Sequence, residues 1–181
     1  RTDDCLNSEV TWTPLNNGYQ TTQFYTIALD HGPGNSNIVF GGLQDNGSWY
    51  GPSSSSGGIN AGDWNSIGGG DGFRVLKHPT KNIIYSEMQG AENVWRYDVD
   101  RKLVKTIQPL AQEGHAELRF NWNAAINIDP FDSNVVYFGS QFVHKSTDKG
   151  ETWKVISPDL TTNDPEKQKQ SESGGLTLDA T

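Results

Sequence analysis

The chain has 181 residues, enough to enclose one hydrophobic core, yet only 33% are apolar and 20 are glycine. That balance excludes helical bundles and coiled coils and favours a turn-dense β protein with an aromatic core. A net charge of −8 and a pI of about 4.8 exclude electrostatic binding of nucleic acid, and no apolar run approaches the roughly 18 residues of a membrane span.

In chain order, residues 1–20 offer only a short Thr11-Trp12-Thr13 strand behind the polar Arg1-Thr2-Asp3-Asp4. Four strands are predicted near 23–30, 38–45, 47–51 and 63–67, interrupted by the Ser/Gly loop 51–58. Four more are predicted near 72–77, 82–89, 93–99 and 103–108, followed by a 111–120 connection in which 110–118 forms a short helical turn or a lid. A third set is predicted near 121–128, 134–139, 142–146 and 152–157. Residues 159–181 read as a polar linker ending in another strand start, Gly174-Gly175-Leu176-Thr177-Leu178.

These sets are repeats. Asn37–Gln44, Asn82–Gln89 and Asn134–Gln141 each open with Asn, pass through two β-branched residues and an aromatic, and close with Gln. A β repeat with a period of roughly 50 residues is what four-stranded propeller blades produce. The predicted fold is therefore all-β, a partial β-propeller of about three four-stranded antiparallel blades. The blades fall at 21–68, 72–110 and 121–158, with 1–20 as the remnant of a preceding one. Three blades do not close a ring, so the chain is expected to be a fragment of a larger propeller. The alternative is an arc completed by self-association. The start at Arg1, with no initiator Met, fits a longer natural polypeptide. Cys5, the one cysteine, excludes an internal disulfide and is either free or paired outside this chain.

Ser146-Thr147-Asp148-Lys149-Gly150-Glu151-Thr152-Trp153 has the pattern S-x-D-x-G-x-x-W between two predicted strands. Ser146 and Asp148 are suited to bond nearby backbone amides, Gly150 to take the positive φ of a tight turn, and Trp153 to pack where the next strand begins. The octapeptide resembles the Asp-box, or bacterial neuraminidase repeat, and Arg1–Asp4 an eroded copy of its turn. Further phrases carry the resemblance through residues 11–161: Thr21–Tyr25, Gly42-Leu43-Gln44-Asp45-Asn46-Gly47, Gly69-Gly70-Asp71-Gly72, Arg119–Asn123 and Ile156–Thr161. Together they are similar to the sortilin-like and neuraminidase-repeat propellers, many of them labelled glycosyl hydrolase-like. The resemblance implies a multi-bladed propeller in an extracellular, cell-surface or periplasmic setting. It implies no single reaction, because the group includes xyloglucan-cleaving enzymes, sialidase relatives and non-catalytic receptors.

Candidate site residues follow from strand ends and turns. Asp45 and Asp71 are the candidate carboxylates, each also explicable as part of a turn or crossover. Glycoside hydrolysis would need them facing each other, about 5–5.5 Å apart for retention or 6.5–9.5 Å for inversion. Asp71, Arg74, Asp45, Trp49 and Arg119 are the candidate ligand contacts, Trp49 as an exposed face for stacking on sugar C–H groups. Phe73-Arg74-Val75-Leu76 lacks the Pro of the sialidase aromatic-Arg-Ile-Pro motif. His31, His78, His115 and His144 show no metal-binding spacing and are expected in turns or on the surface. No cofactor or metal site is predicted. The expected function is a binding or scaffold module for glycan or extracellular protein, partnered by further blades or by itself. The alternative is a glycoside hydrolase whose cleft is completed by blades outside this chain.

Overall fold

The computed structural model describes residues 1–15, 21–30, 37–115, 117–166 and 168. The chain is all-β, and its strands form three four-stranded antiparallel sheets, each a meander in chain order. The first comprises β1 (Phe24–Leu29), β2 (Ile38–Leu43), β3 (Gly47–Pro52) and β4 (Asn65–Gly68). The second comprises β5 (Gly72–Lys77), β6 (Ile83–Met88), β7 (Val94–Asp98) and β8 (Leu103–Thr106). The third comprises β9 (Ile126–Ile128), β10 (Val136–Gly139), β11 (Val143–Ser146) and β12 (Lys154–Val155). These are three blades of a partial β-propeller. Residues 31–36, between the first two predicted strands, and the predicted strand start at 174–178 lie outside the described residues.

The core lies between blades rather than within one. Phe40 and Ile67 of the first blade pack on Val75 and Ile84 of the second. Tyr85, Val94 and Ile107 of the second pack on Ile126, Val136 and Phe138 of the third. The outermost strands β8 and β12 are exposed throughout, while β6 is buried at five of its six positions. Apolar burial at both faces of a middle strand removes the in/out alternation of a one-sided sheet.

The repeated Asn and Gln have repeated jobs. Each Asn carbonyl accepts an amide from the stretch that follows the third strand or contains its turn: Ser53 to Asn37, Val99 to Asn82 and Lys149 to Asn134. Each Gln amide donates to the residue leading into the innermost strand: Gln44 to Gln23, Gln89 to Asp71 and Gln141 to Arg119. Gln89 and Gln141 close the ring with their side chains, accepting from the amides of Asp71 and Arg119 at 2.8 Å each. The spacing seen in the sequence is thus the length of strand needed to reach from one latch to the other.

Some elements differ from expectation. The ninth strand begins at Ile126, not near 121. Backbone groups ahead of it are engaged elsewhere: Ala124 donates to the Glu87 carboxylate and the Trp122 carbonyl accepts from Gly90. Described residues of 110–118 hold one turn, His115 N–H to Gln112 O, and no helix. Residues 1–15 contain no strand, although Arg1 and Thr13 exchange two 2.8 Å backbone hydrogen bonds.

The octapeptide joins β11 to β12 as a tight knot. Ser146 Oγ donates to Asp148 Oδ1 and accepts from the Gly150 amide, both at 2.7 Å. Asp148 accepts from the Thr152 amide at 2.9 Å and its hydroxyl at 2.6 Å. Gly150 has φ +88°, and an added Cβ would lie 2.6 Å from Ile107 of the second blade. Trp153 Nε1 donates to the Ile107 carbonyl at 2.6 Å, so this turn clamps its blade to the one before. At the N-terminus Thr2 Oγ1 donates to Asp4, which accepts from the Thr11 amide, repeating the hydroxyl–carboxylate–amide pattern.

Partial burial would raise the Asp148 pKa, but the Thr152 and Ser146 donors outweigh it and hold it at about 2, below the ordinary 3.8. A carboxylate with a depressed folded pKa contributes stability above 3.8 that is lost as pH falls toward 2. Asp148→Asn is therefore expected to be less stable than wild type at neutral pH and to lose less stability across that acid window. Urea denaturation at several pH values measures both; unchanged acid sensitivity would contradict this role.

Candidate functional site

In a meander, the first and third loops lie at one end of the sheet, and the second loop and the crossover to the next sheet at the other. The octapeptide is a third loop. Asp45, Asp71 and Arg119 occupy second loops or crossovers, so all three lie at the opposite end.

Asp71 sits just ahead of β5 and is 9% exposed. Its Oδ1 accepts from the Asp45 amide, its carbonyl from the Gln89 amide at 3.1 Å, and its own amide donates to Gln89 Oε1. Asp45 holds φ 60° in the β2–β3 turn with its side chain exposed. One oxygen of Asp71 is thus committed to shaping the turn that presents Asp45. Arg74 is exposed on β5. Trp49 is half-buried, its Nε1 bonded to the Asn46 carbonyl at the same turn. Arg119 donates to Asp159 Oδ2 at 3.0 Å and Thr161 Oγ1 at 2.9 Å, so it closes the end of the third blade and stands apart from the Asp45–Asp71 pair.

Sequence reasoning weighed Trp122 as a stacking face or as packing between blades but did not single out Tyr25 and Phe73, which join it in a row at the inner strands. Tyr25 stacks on Phe73 at 4.2 Å between ring centroids, and Phe73 meets the edge of Trp122 at 6.3 Å, linking all three blades. Burial, followed by the charges of Asp71 and Asp45, pushes the Tyr25 phenol above its ordinary value. The signal available in the sequence was position: each ring stands in or just ahead of a first strand. At the same end of the first blade lies an open hollow of about 520 Å³ lined by Thr21, Thr22, Gln23, Gln44, Asp45 and Asn46. It is walled entirely by hydrogen-bonding side chains.

Glu87 was also missed. It is wholly buried on β6, its Oε1 accepts from the Ala124 amide at 3.1 Å, and its Oε2 has no partner. The bond from Ala124 ties the second blade's β6 to the third blade, and the backbone of Arg74 and Ala91 near the carboxylate favours its charged form. Burial dominates and pushes its pKa up to about 8 despite those donors and the Arg74 charge.

The histidines divide. His78 is buried, with Nδ1 accepting from the Thr80 and Lys81 amides in its turn. His144 is buried in mid-strand, Nε2 against Ser140 Oγ at 2.7 Å, contrary to an expected turn or surface position. Its strand carries it between packed layers, where neutral imidazole is favoured. Among the described residues no group of three or more His, Cys, Asp or Glu is placed to hold a metal ion.

No family model and no curated protein matches the chain. Among solved structures it is similar to a GH74 xyloglucanase from Xanthomonas campestris, at 12% identity and a TM-score of 0.52, over 74% of this chain and 21% of that one. It is also similar to an auxiliary nutrient binding protein from Bacteroides thetaiotaomicron, at 15% identity and a TM-score of 0.52, over 76% of this chain and 32% of that one. The likeness is one of fold. The chain spans less than a third of either protein's length.

Proposed function

We propose that this chain is part of an extracellular β-propeller of the sortilin-like, Asp-box kind and acts as a glycan-binding or scaffold module. The observation that carries the reading is the polar hollow of Thr21–Gln23 and Gln44–Asn46, at the end of the arc that also holds the Tyr25–Phe73–Trp122 row. A sugar ring offers hydroxyls to amide, hydroxyl and carboxylate groups and C–H faces to aromatic rings, and this end of the arc supplies both. Further blades, or a second copy of the arc, would complete the wall. Arg74 and Trp49 would flank the ligand, while Arg119 would hold the third blade's edge.

The alternative, a glycoside hydrolase completed by other blades, would use Asp45 and Asp71. Binding is favoured because Asp71 is already occupied in bracing the Asp45 turn. The names of the fold relatives suggest the probes: xyloglucan first, then other plant-wall and host-type polysaccharides. Wild-type chain and the Asp45→Asn/Asp71→Asn double variant are titrated calorimetrically with oligosaccharides, and the polymers are assayed for released reducing ends. Binding by both proteins without release is expected. Release that disappears in the double variant would replace this reading with the hydrolase. Failure of the wild-type chain to bind any of them would remove the glycan reading.

A further inference from the structure

The far end of the arc, where the octapeptide lies, holds a separate cleft of about 820 Å³ between the second and third blades. Five cations line it: Lys81 from the β5–β6 loop, Arg96, Arg101 and Lys105 from the second blade's outer half, and Lys149 from the octapeptide. The whole chain has only 14 Lys and Arg and a net charge of −8, so a third of its cations in one cleft is a local reversal of sign.

The nearby carboxylates neutralise it only in part. Glu151 is shared by Arg96 at 2.5 Å and Lys105. Asp98 caps the Arg101 amide at 3.1 Å and lies 3.8 Å from the Arg101 guanidinium, and Asp100 accepts from Asn82 Nδ2 at 2.8 Å. Asp148 is spent on Ser146 and Thr152. Among the described residues neither Lys81 nor Lys149 has a carboxylate within ion-pair distance.

Lys149 is held rather than free. It has φ 63°, its amide donates to the Asn134 carbonyl at 2.9 Å, its carbonyl accepts from Arg96 Nη1 at 2.9 Å, and Nζ touches Asn134 Oδ1 at 3.2 Å. Burial, then the charges of Lys81 and Arg96, hold its ammonium below the ordinary lysine range. Two like charges brought close in a cleft are unfavourable until an anion joins them, and a donor already held in place, as Lys149 is, binds an anion with less reorganisation. Exposed Leu103 and Val104 on one wall offer apolar surface to whatever carries that anion.

We propose that this cleft is a binding site for a sulfate- or phosphate-type oxyanion, seated between Lys81 and Lys149 with Arg96 and Arg101 alongside. The group is either a free ion or an ester on a sugar. The site is independent of the sugar hollow at the opposite end of the sheets.

The test titrates the 181-residue chain with sodium sulfate, sodium phosphate and a sulfated disaccharide at fixed ionic strength, following amide and side-chain NMR shifts. Saturable shifts confined to Lys81, Arg96 and Lys149 are expected, at millimolar concentration for the free ions. Lys81→Met, alone and with Lys149→Met, is expected to weaken binding by at least ~10-fold, whereas Lys154→Met, outside the cleft, leaves it unchanged. Lys81 lies on an exposed loop, so the single variant keeps the test open if the double variant does not fold. Equal affinity for free sulfate and the disaccharide assigns the free ion, and tighter binding of the disaccharide assigns the ester; both support the proposal. Shifts that sodium chloride reproduces, shifts that survive Lys81→Met, or tighter binding of poly-glutamate than of any sulfate or phosphate probe would each overturn it.

Discussion

Glu87→Gln is expected to be more stable than wild type at pH 6.5 and to widen that margin by about 2 kcal/mol by pH 8. The sign follows from protons. Wild-type Glu87 ionises near 4.5 when unfolded and near 8 when folded, so between those values the folded chain holds one more proton and stability falls as pH rises. The slope is at most about 1.4 kcal/mol per pH unit. His78 and His144 act with the opposite sign: burial holds their folded pKa below 6.5, so their contribution is complete above 6.5 and lost as pH falls. Their effects oppose that of Glu87 in mild acid and vanish above 6.5, which makes 6.5 to 8 the window for measurement. Glutamine mimics the protonated acid, keeping an acceptor for Ala124 without a charge to bury. Glu87→Ala strands the Ala124 amide and opens a void, and is expected to be about 3 kcal/mol less stable than Glu87→Gln at both pH values. Urea midpoints for the three proteins at both pH values decide it. Parallel pH profiles for wild type and Glu87→Gln would show that the carboxyl does not stay neutral.

The second large effect is steric. Gly42→Ala is expected to destabilise the chain by about 3 kcal/mol, at the upper end for an overpacked core. A Cβ at Gly42 would stand 2.2 Å from the Gly72 carbonyl oxygen, and one at Gly72 2.4 Å from the Gly47 carbonyl oxygen. The first two blades meet here backbone to backbone, with the buried Ser48 and Ser86 hydroxyls bonded at 2.7 Å beside them. No side chain can yield, so the blades must part. Gly139→Ala is the control: its Cβ would find Ala125 at an ordinary 3.6 Å and should change stability by about 0.5 kcal/mol at most. Equal melting midpoints for the two variants would refute the close-contact account.

Much of this was legible because the repeat carries local instructions. Asn37, Asn82 and Asn134 mark strand starts, and Gln44, Gln89 and Gln141 mark the latches that end them, so the repeat pointed to three four-stranded sheets. The octapeptide wrote its own turn. Asp45 and Asp71 were legible as strand-end residues, but their mutual bond spans a blade boundary and no local pattern encodes it. Glu87 was hidden for the same reason: a charge in the Ile83–Met88 run reads as an outward position, and only the neighbouring blade turns it into a buried tie. The cationic cleft draws Lys81, Arg96 and Lys149 from two repeats, none of them in a charge run.

The Trp153 and Gly150 contacts on Ile107 give the arc a direction. This turn grips the leaf before it, in addition to the side-chain packing the two leaves share. Coupling of this kind runs from neighbour to neighbour, as in other repeat arrays. Loosening the second leaf therefore costs the third both its packing and this anchor, whereas undoing the turn alone frees the rim and leaves the shared core of Tyr85, Val136 and Phe138 in place.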